Sequence, residues 1–339
     1  MGDKNNDINE KLTSAEMGKL WATYTSNTMA KCVLSYYLKH LDDQDIKKVV
    51  EHAFNLSGKI VENIKEIFIQ ENFPIPIGFT DKDVNLDAPR LFSDEFYLHY
   101  LKYTIKAGMS IYSIAIPLMT RKDVRDFFIN TLDSTVELIA EINDVLEEKG
   151  LMVKPPTIPI PKKVDFVQKQ RYLHGFIGDV RPSHALEIAH LYDNIESNVT
   201  SKGLLIGFSQ VARTEKVQKF MLRGKEITNK HIETCSKKLN KDNLPSPPLL
   251  DDMVSTSTVP PFSDKLMLWH KIEMFSIKVR TYANGASLNG RRDIGGMYAK
   301  LLMDVGLYVE DGANIMIDNA WMEQPPEAID REELAKGLK

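Results

Sequence analysis

The chain repeats itself at an offset of about 170 residues, and this duplication restricts its fold more than any other feature. Glu71-Asn72-Phe73-Pro74-Ile75-Pro76 returns as Asp242-Asn243-Leu244-Pro245-Ser246-Pro247, and Leu91-Phe92-Ser93-Asp94-Glu95 returns as Pro261-Phe262-Ser263-Asp264-Lys265. Arg121-Lys122-Asp123-Val124 is echoed by Arg291-Arg292-Asp293-Ile294, and Leu151 to Pro156 by Trp321 to Pro326. Whatever one half folds into, the other must also fold into. Agreement between the copies points to the fold, and disagreement points to something else. The 339 residues suffice for two domains that each bury a core.

Apolar residues recur at three-and-four spacing through four long segments of each copy, the signature of amphipathic helices. The first copy predicts helices over 14–40, 44–70, 93–117 and 122–148, with Ser93 as an N-cap. The second predicts them over about 183–211, 214–239, 264–289 and 292–320. No segment alternates as a strand. Within each copy the first and third connections are short, whereas the second is a proline-rich stretch of about twenty residues (72–92 and 243–262). A helix of 27 residues is about 40 Å long, a span that an extended loop of this length can cover. Short, long, short is the connection pattern of a ferritin-like four-helix bundle with one crossover. The expected architecture is therefore all-α: two tandem ferritin-like four-helix bundles over 12–153 and 183–322, a Pro-rich linker over 154–182, and a peripheral tail over 323–339. A short helix near 165–173 would interrupt the linker.

Charge is mixed and the net value is −4, so no polyelectrolyte surface advertises nucleic acid or anionic lipid. The first residues are polar and lack the apolar core of a signal peptide, and no apolar run is long enough to span a bilayer. These features predict a cytoplasmic protein without nucleic-acid or membrane partners. Cys32 and Cys235 lie in apolar helical stretches and are expected to be buried free thiols.

Motifs for phosphate, dinucleotide or zinc binding and for nucleophilic catalysis do not occur, so the reading leans away from an enzyme. Several glycines of the second copy suit close helix approach. Comparison of the copies is more informative. His231 and His270 fall on the inward stripes of the second and third helices of the second copy, where the first has Ile60 and Tyr100. Glu187 and Asp311, matched by Glu16 and Glu141, lie near the stripes of the first and fourth helices. Glu187, His231, His270 and Asp311 could thus supply an imidazole–carboxylate site inside the second bundle, of a kind suited to Fe, Mn or Zn. A buried polar network is the competing account, because the Glu-x-x-His spacing of a di-iron site is incomplete. Asn27 and Asn198 correspond mid-helix, and Arg121/Asp123 and Arg291/Asp293 form charged corners.

The stretch from Glu71 to Asp81, Ala88-Pro89-Arg90-Leu91-Phe92-Ser93-Asp94, and Glu310-Asp311-Gly312-Ala313-Asn314-Ile315-Met316-Ile317 resemble the two-repeat proteins of endospore-forming bacteria known as domain of unknown function 3231 (DUF3231). The resemblance extends from about Leu12 to Asp330, and implies a ferritin-like fold and a possible association with the spore. It implies no reaction, and no catalytic residues carry over.

Three readings of function follow. The first is a helical protein acting through self-association or an unknown protein partner. The second is a metal-binding or oxidoreductase protein using the four residues above. The third is a binding module for an apolar small molecule, lined by Trp21, Tyr24 and Tyr100 or by Tyr192 and Trp269.

Overall fold

The computed structural model describes residues 11–337. The polar amino terminus read above as lacking a signal-peptide core falls largely outside this range. Eight long helices fall into two similar sets: α1 (Ser14–His40), α2 (Gln44–Gln70), α3 (Asp94–Ala115) and α4 (Lys122–Glu148), then α5 (Ala185–Val211), α6 (Glu215–Lys241), α7 (Asp264–Ser287) and α8 (Arg292–Asp318). A short α9 (Arg331–Ala335) lies in the tail. Among the described residues no strand forms. The linker carries a single 3-10 turn at Gln170–Leu173 where a short helix was expected.

Local chemistry sets the helix limits alike in both halves. Thr13 and Glu16 close a capping box at the start of α1, and His184 and Glu187 close one at the start of α5. Asn72 and Asn243 terminate α2 and α6 in the left-handed region, at φ 53° and 58°. There Phe73 N–H reaches back to Phe68 C=O at 2.8 Å, and Leu244 N–H to Leu239 C=O at 3.0 Å. Helix α3 ends at Ala115, earlier than the periodicity predicts, because Pro117 forces a 3-10 turn. Ser263 caps α7 through Leu266 N–H, whereas the Ser93 hydroxyl caps nothing.

The two bundles pack on each other about a pseudo-two-fold axis, and the crossovers are the clearest witness. Ser93 N–H donates to Met253 C=O at 3.0 Å, and Ser263 N–H to Asp83 C=O at 2.9 Å. Asn85 N–H donates to Pro261 C=O at 2.7 Å, and Ser255 N–H to Leu91 C=O at 2.9 Å. Each pair is one contact made twice, with the roles of the halves exchanged, which defines an isologous interface. The proline-rich loops therefore satisfy backbone groups in each other as well as crossing their own bundles. Gly203 and Gly207 of α5 leave room for Phe96 and Phe92 of the first half. Glu323 of the tail accepts from Ile77 N–H at 2.9 Å and Gly78 N–H at 2.6 Å, fastening the tail to the first crossover.

Candidate functional site

The four residues singled out by their stripes are held by four separate sets of partners. Glu187 sits in the first turn of α5 and accepts from Arg181 twice at 2.8 Å, from His184 N–H at 3.0 Å, Gly290 N–H at 2.9 Å and Arg291 N–H at 3.1 Å. Burial would raise its pKa, but these donors outweigh that and hold it below the usual range. Glu16 does the same work in the first half, accepting from Thr13, Thr120 and Arg121. His231 lies inside the second bundle, its Nδ1 at 2.9 Å from the Tyr282 hydroxyl and its Nε2 at 3.5 Å from Asp304. Asp311 is exposed and pairs with Arg223 at 2.7 Å.

His270 points the other way. It faces the first half, with Nε2 at 2.8 Å from the hydroxyl of Tyr100. No hydrogen bond or ion pair joins any two of the four, and among the described residues no group of three or more His, Cys, Asp or Glu side chains could hold a metal. The physical reason is positional. Glu187 belongs to a helix terminus and Asp311 to a solvent face, while His270 on α7 meets α3 of the first half and His231 on α6 meets Tyr282 of its own half.

An apolar cavity of about 330 Å³, partly open to solvent, lies instead in the first bundle, walled chiefly by α1, α2 and α3 with α7 of the second half along one side. Met29, Leu34, Leu56, Ile60, Leu101, Ile105 and Ile111 give it an apolar wall, and Tyr100, one of the expected lining residues, contributes to it. The remaining aromatic candidates, Trp21, Tyr24, Tyr192 and Trp269, lie off the wall. The room comes from small side chains at Ala22, Ala30, Ala53, Ala107 and Gly108. In the second half the residues equivalent to Leu101, Ile105 and Gly108 are Lys271, Phe275 and Lys278. Lys278 reaches Thr228 Oγ1 at 3.1 Å and lies 3.9 Å over the Phe275 ring, and Lys271 bonds Ser201 Oγ at 2.9 Å. Burial pushes both ammonium pKa values far down. One half is thus filled where the other is hollow.

Polar atoms make up the lesser part of the cavity wall. Ser26 donates to Glu273, whose carboxyl pKa is raised by burial. Asn27 reaches the Tyr112 hydroxyl at 3.4 Å, as Asn198 reaches Tyr282 at 2.8 Å. Burial drives the His270 pKa down to about 3, so its ring is neutral, and with Tyr100 donating to Nε2 the Nδ1–H has no partner. Arg280 did not stand out from the sequence; the usable signal was the change from large to small at positions 101, 105 and 108 relative to the second copy.

The profile of the family described as "Protein of unknown function (DUF3231)" matches residues 2–164 and again 173–334. No curated protein matches the chain. A crystal structure described as that of a putative spore coat protein from Bacillus halodurans C-125 is similar at 20% identity, covering 46% of this chain and 100% of that one, with a TM-score of 0.43. Among the described residues no helix is long and apolar enough to cross a membrane.

Proposed function

We propose that this chain, which belongs to the DUF3231 family, is a binding protein that takes an apolar small molecule into the cavity of its first bundle. The observation that carries this reading is the contrast between the halves. An apolar space of about 330 Å³ leaves the side chains that line it without packing partners on one side. The second half demonstrates that the same scaffold can fill it with side chains. Retention of the space in one copy is what a ligand site requires, and its size suits a small molecule. The site is composite, because α7 of the second half forms one side of a cavity cut into the first.

Ala30 lies on the wall and points to the test. Thermal unfolding against a panel of apolar compounds should show midpoints raised by ligand in the native protein, and no such rise in Ala30→Leu, whose larger side chain occupies the space. A panel that never shifts the native midpoint, or shifts both proteins equally, would sink the reading.

A second reading, association with another copy of the chain, is favoured by the linker. There Ile160, Val164, Phe166 and Ile177 are each at least 80% exposed. Light scattering of the native chain and of a variant with serine at these four positions distinguishes the cases: equal masses would end this reading.

A further inference from the structure

The end of the cavity formed by the later turns of α7 carries cationic groups without hydrogen-bonded counter-ions. Arg280 lines the wall, yet its buried Nε and Nη2 donate to no acceptor. Arg291, a buried arginine of this half, behaves differently: it forks onto Asp293 at 3.0 and 2.8 Å. Nε–H and Nη2–H together form one edge of the guanidinium, a two-pronged donor matched to the two oxygens of a carboxylate. Burial of that edge lowers the pKa of Arg280, an effect that the charge of Glu273 opposes only through space.

The direction of the helices places a second cation at the same end. Ser26 of α1 bonds Glu273 of α7, while Thr28 and Lys265 both reach the Gly78–Phe79 segment, so α1 and α7 run antiparallel along the cavity. Lys19, two turns before Ser26, is therefore level with Arg280, two turns beyond Glu273. Lys19 lines the cavity and forms no ion pair or hydrogen bond among the described residues. At the opposite end stand Tyr100 and His270. From His270 to Arg280 is ten residues of helix, a rise of about 15 Å. Between them, nearer His270, burial raises the pKa of Glu273 while Ser26 and Arg280 draw it down.

Resting on the reading of the cavity as a ligand site, we infer that its ligand is an apolar monocarboxylate. Its carboxylate is seated on the free edge of Arg280 with Lys19 beside it, and its hydrocarbon body runs along α7 toward Tyr100. A bare apolar molecule would leave the Arg280 donors unmatched, whereas a carboxylate completes them.

Isothermal titration of the full chain with dodecanoate and with dodecan-1-ol, both below their aggregation limits, separates the two propositions. The acid should bind at least about tenfold tighter than the alcohol. Arg280→Met should bring the acid to the affinity of the alcohol and leave the alcohol unchanged, and Arg280→Lys, which keeps the charge without the fork, should fall between. Ala30→Leu should weaken both. Equal binding of acid and alcohol to the native chain, or equal loss of both in Arg280→Met, overturns carboxylate recognition while the cavity reading stands. Absence of binding by either compound overturns both. Should Arg280→Met fail to fold by circular dichroism, the acid-to-alcohol ratio in Arg280→Lys decides: a ratio unchanged from native refutes the fork.

Discussion

Tyr100 and His270 occupy equivalent positions in the two halves, and they hydrogen-bond to each other at 2.8 Å. Contact between equivalent positions means that the pseudo-two-fold axis passes between these side chains, in the seam where the two bundles meet. The pair also forms one end of the cavity wall. A single hydrogen bond thus joins the packing of the halves to the candidate site.

Tyr100→Phe removes the donor to Nε2 and leaves His270, 1% exposed, with no partner on either ring nitrogen. The expected cost is about 1–3 kcal/mol, the penalty for a stranded buried polar group. Tyr100→Phe combined with His270→Phe should cost less than the sum of the single changes. Urea denaturation of the four proteins of this cycle measures the coupling, and strict additivity would show that the bond contributes nothing.

Stability should fall on acidification because of buried neutral histidines. Burial drives the pKa of His231 down to about 4 and that of His270 to about 3, whereas an unfolded histidine titrates near 6.5. The unfolded chain therefore takes up protons first. The contribution is intact above about pH 6.5 and is lost progressively toward the folded values, by up to a few kcal/mol per group. His231→Gln should flatten the slope of unfolding free energy between about pH 6.5 and 4; an unchanged slope would assign the acid sensitivity elsewhere.

Glu187 and Asp311 should respond unequally to loss of charge. Glu187→Gln weakens the Arg181 pair, the capping box and the contact to the corner before α8 together, and is expected to cost about 3 kcal/mol or more. Asp311→Asn breaks only an exposed pair with Arg223 and should change stability by less than about 0.5 kcal/mol. Equilibrium denaturation checks both, and comparable losses would contradict the structural roles assigned here.

Metal content should not depend on the two histidines. With His231 and His270 bonded to different tyrosines, Tyr282 and Tyr100, elemental analysis of protein prepared without chelator should give the same result for the native chain, His231→Ala and His270→Ala. Loss of a near-stoichiometric transition metal in either variant would restore an imidazole site.

Most of the fold was readable because periodicity and capping act locally. The stripes alone delimit α1, α2 and α4, and local caps at Thr13 and Asp43 close the first two, whereas Ser93, the cap expected from the sequence, makes no cap bond. The reciprocal pairing of the crossovers was not readable, since a proline-rich loop looks the same whether it bonds water or its own counterpart. The histidines were correctly placed on buried faces, but a stripe does not say which of two neighbours a face meets. His270 meets α3 of the other half, whereas His231 meets its own bundle. The apolar site expected from aromatic residues shares only Tyr100 with the cavity, because the room itself is made of missing atoms. Gly108 and Ala107 carry no chemistry to attract attention, and only their larger counterparts in the packed half, Lys278 and Ile277, give them meaning.

An identical pair of subunits must place the same residue on both sides of its symmetry axis, so that each substitution there is made twice at once. Here the halves share one chain, and a phenol meets an imidazole where two separate copies could offer only phenol against phenol or imidazole against imidazole. The tether therefore does more than raise the local concentration of one half for the other. It lets the meeting point of two twins carry unlike groups, so that one twin can lend a helix as a wall while the other keeps the room beside it.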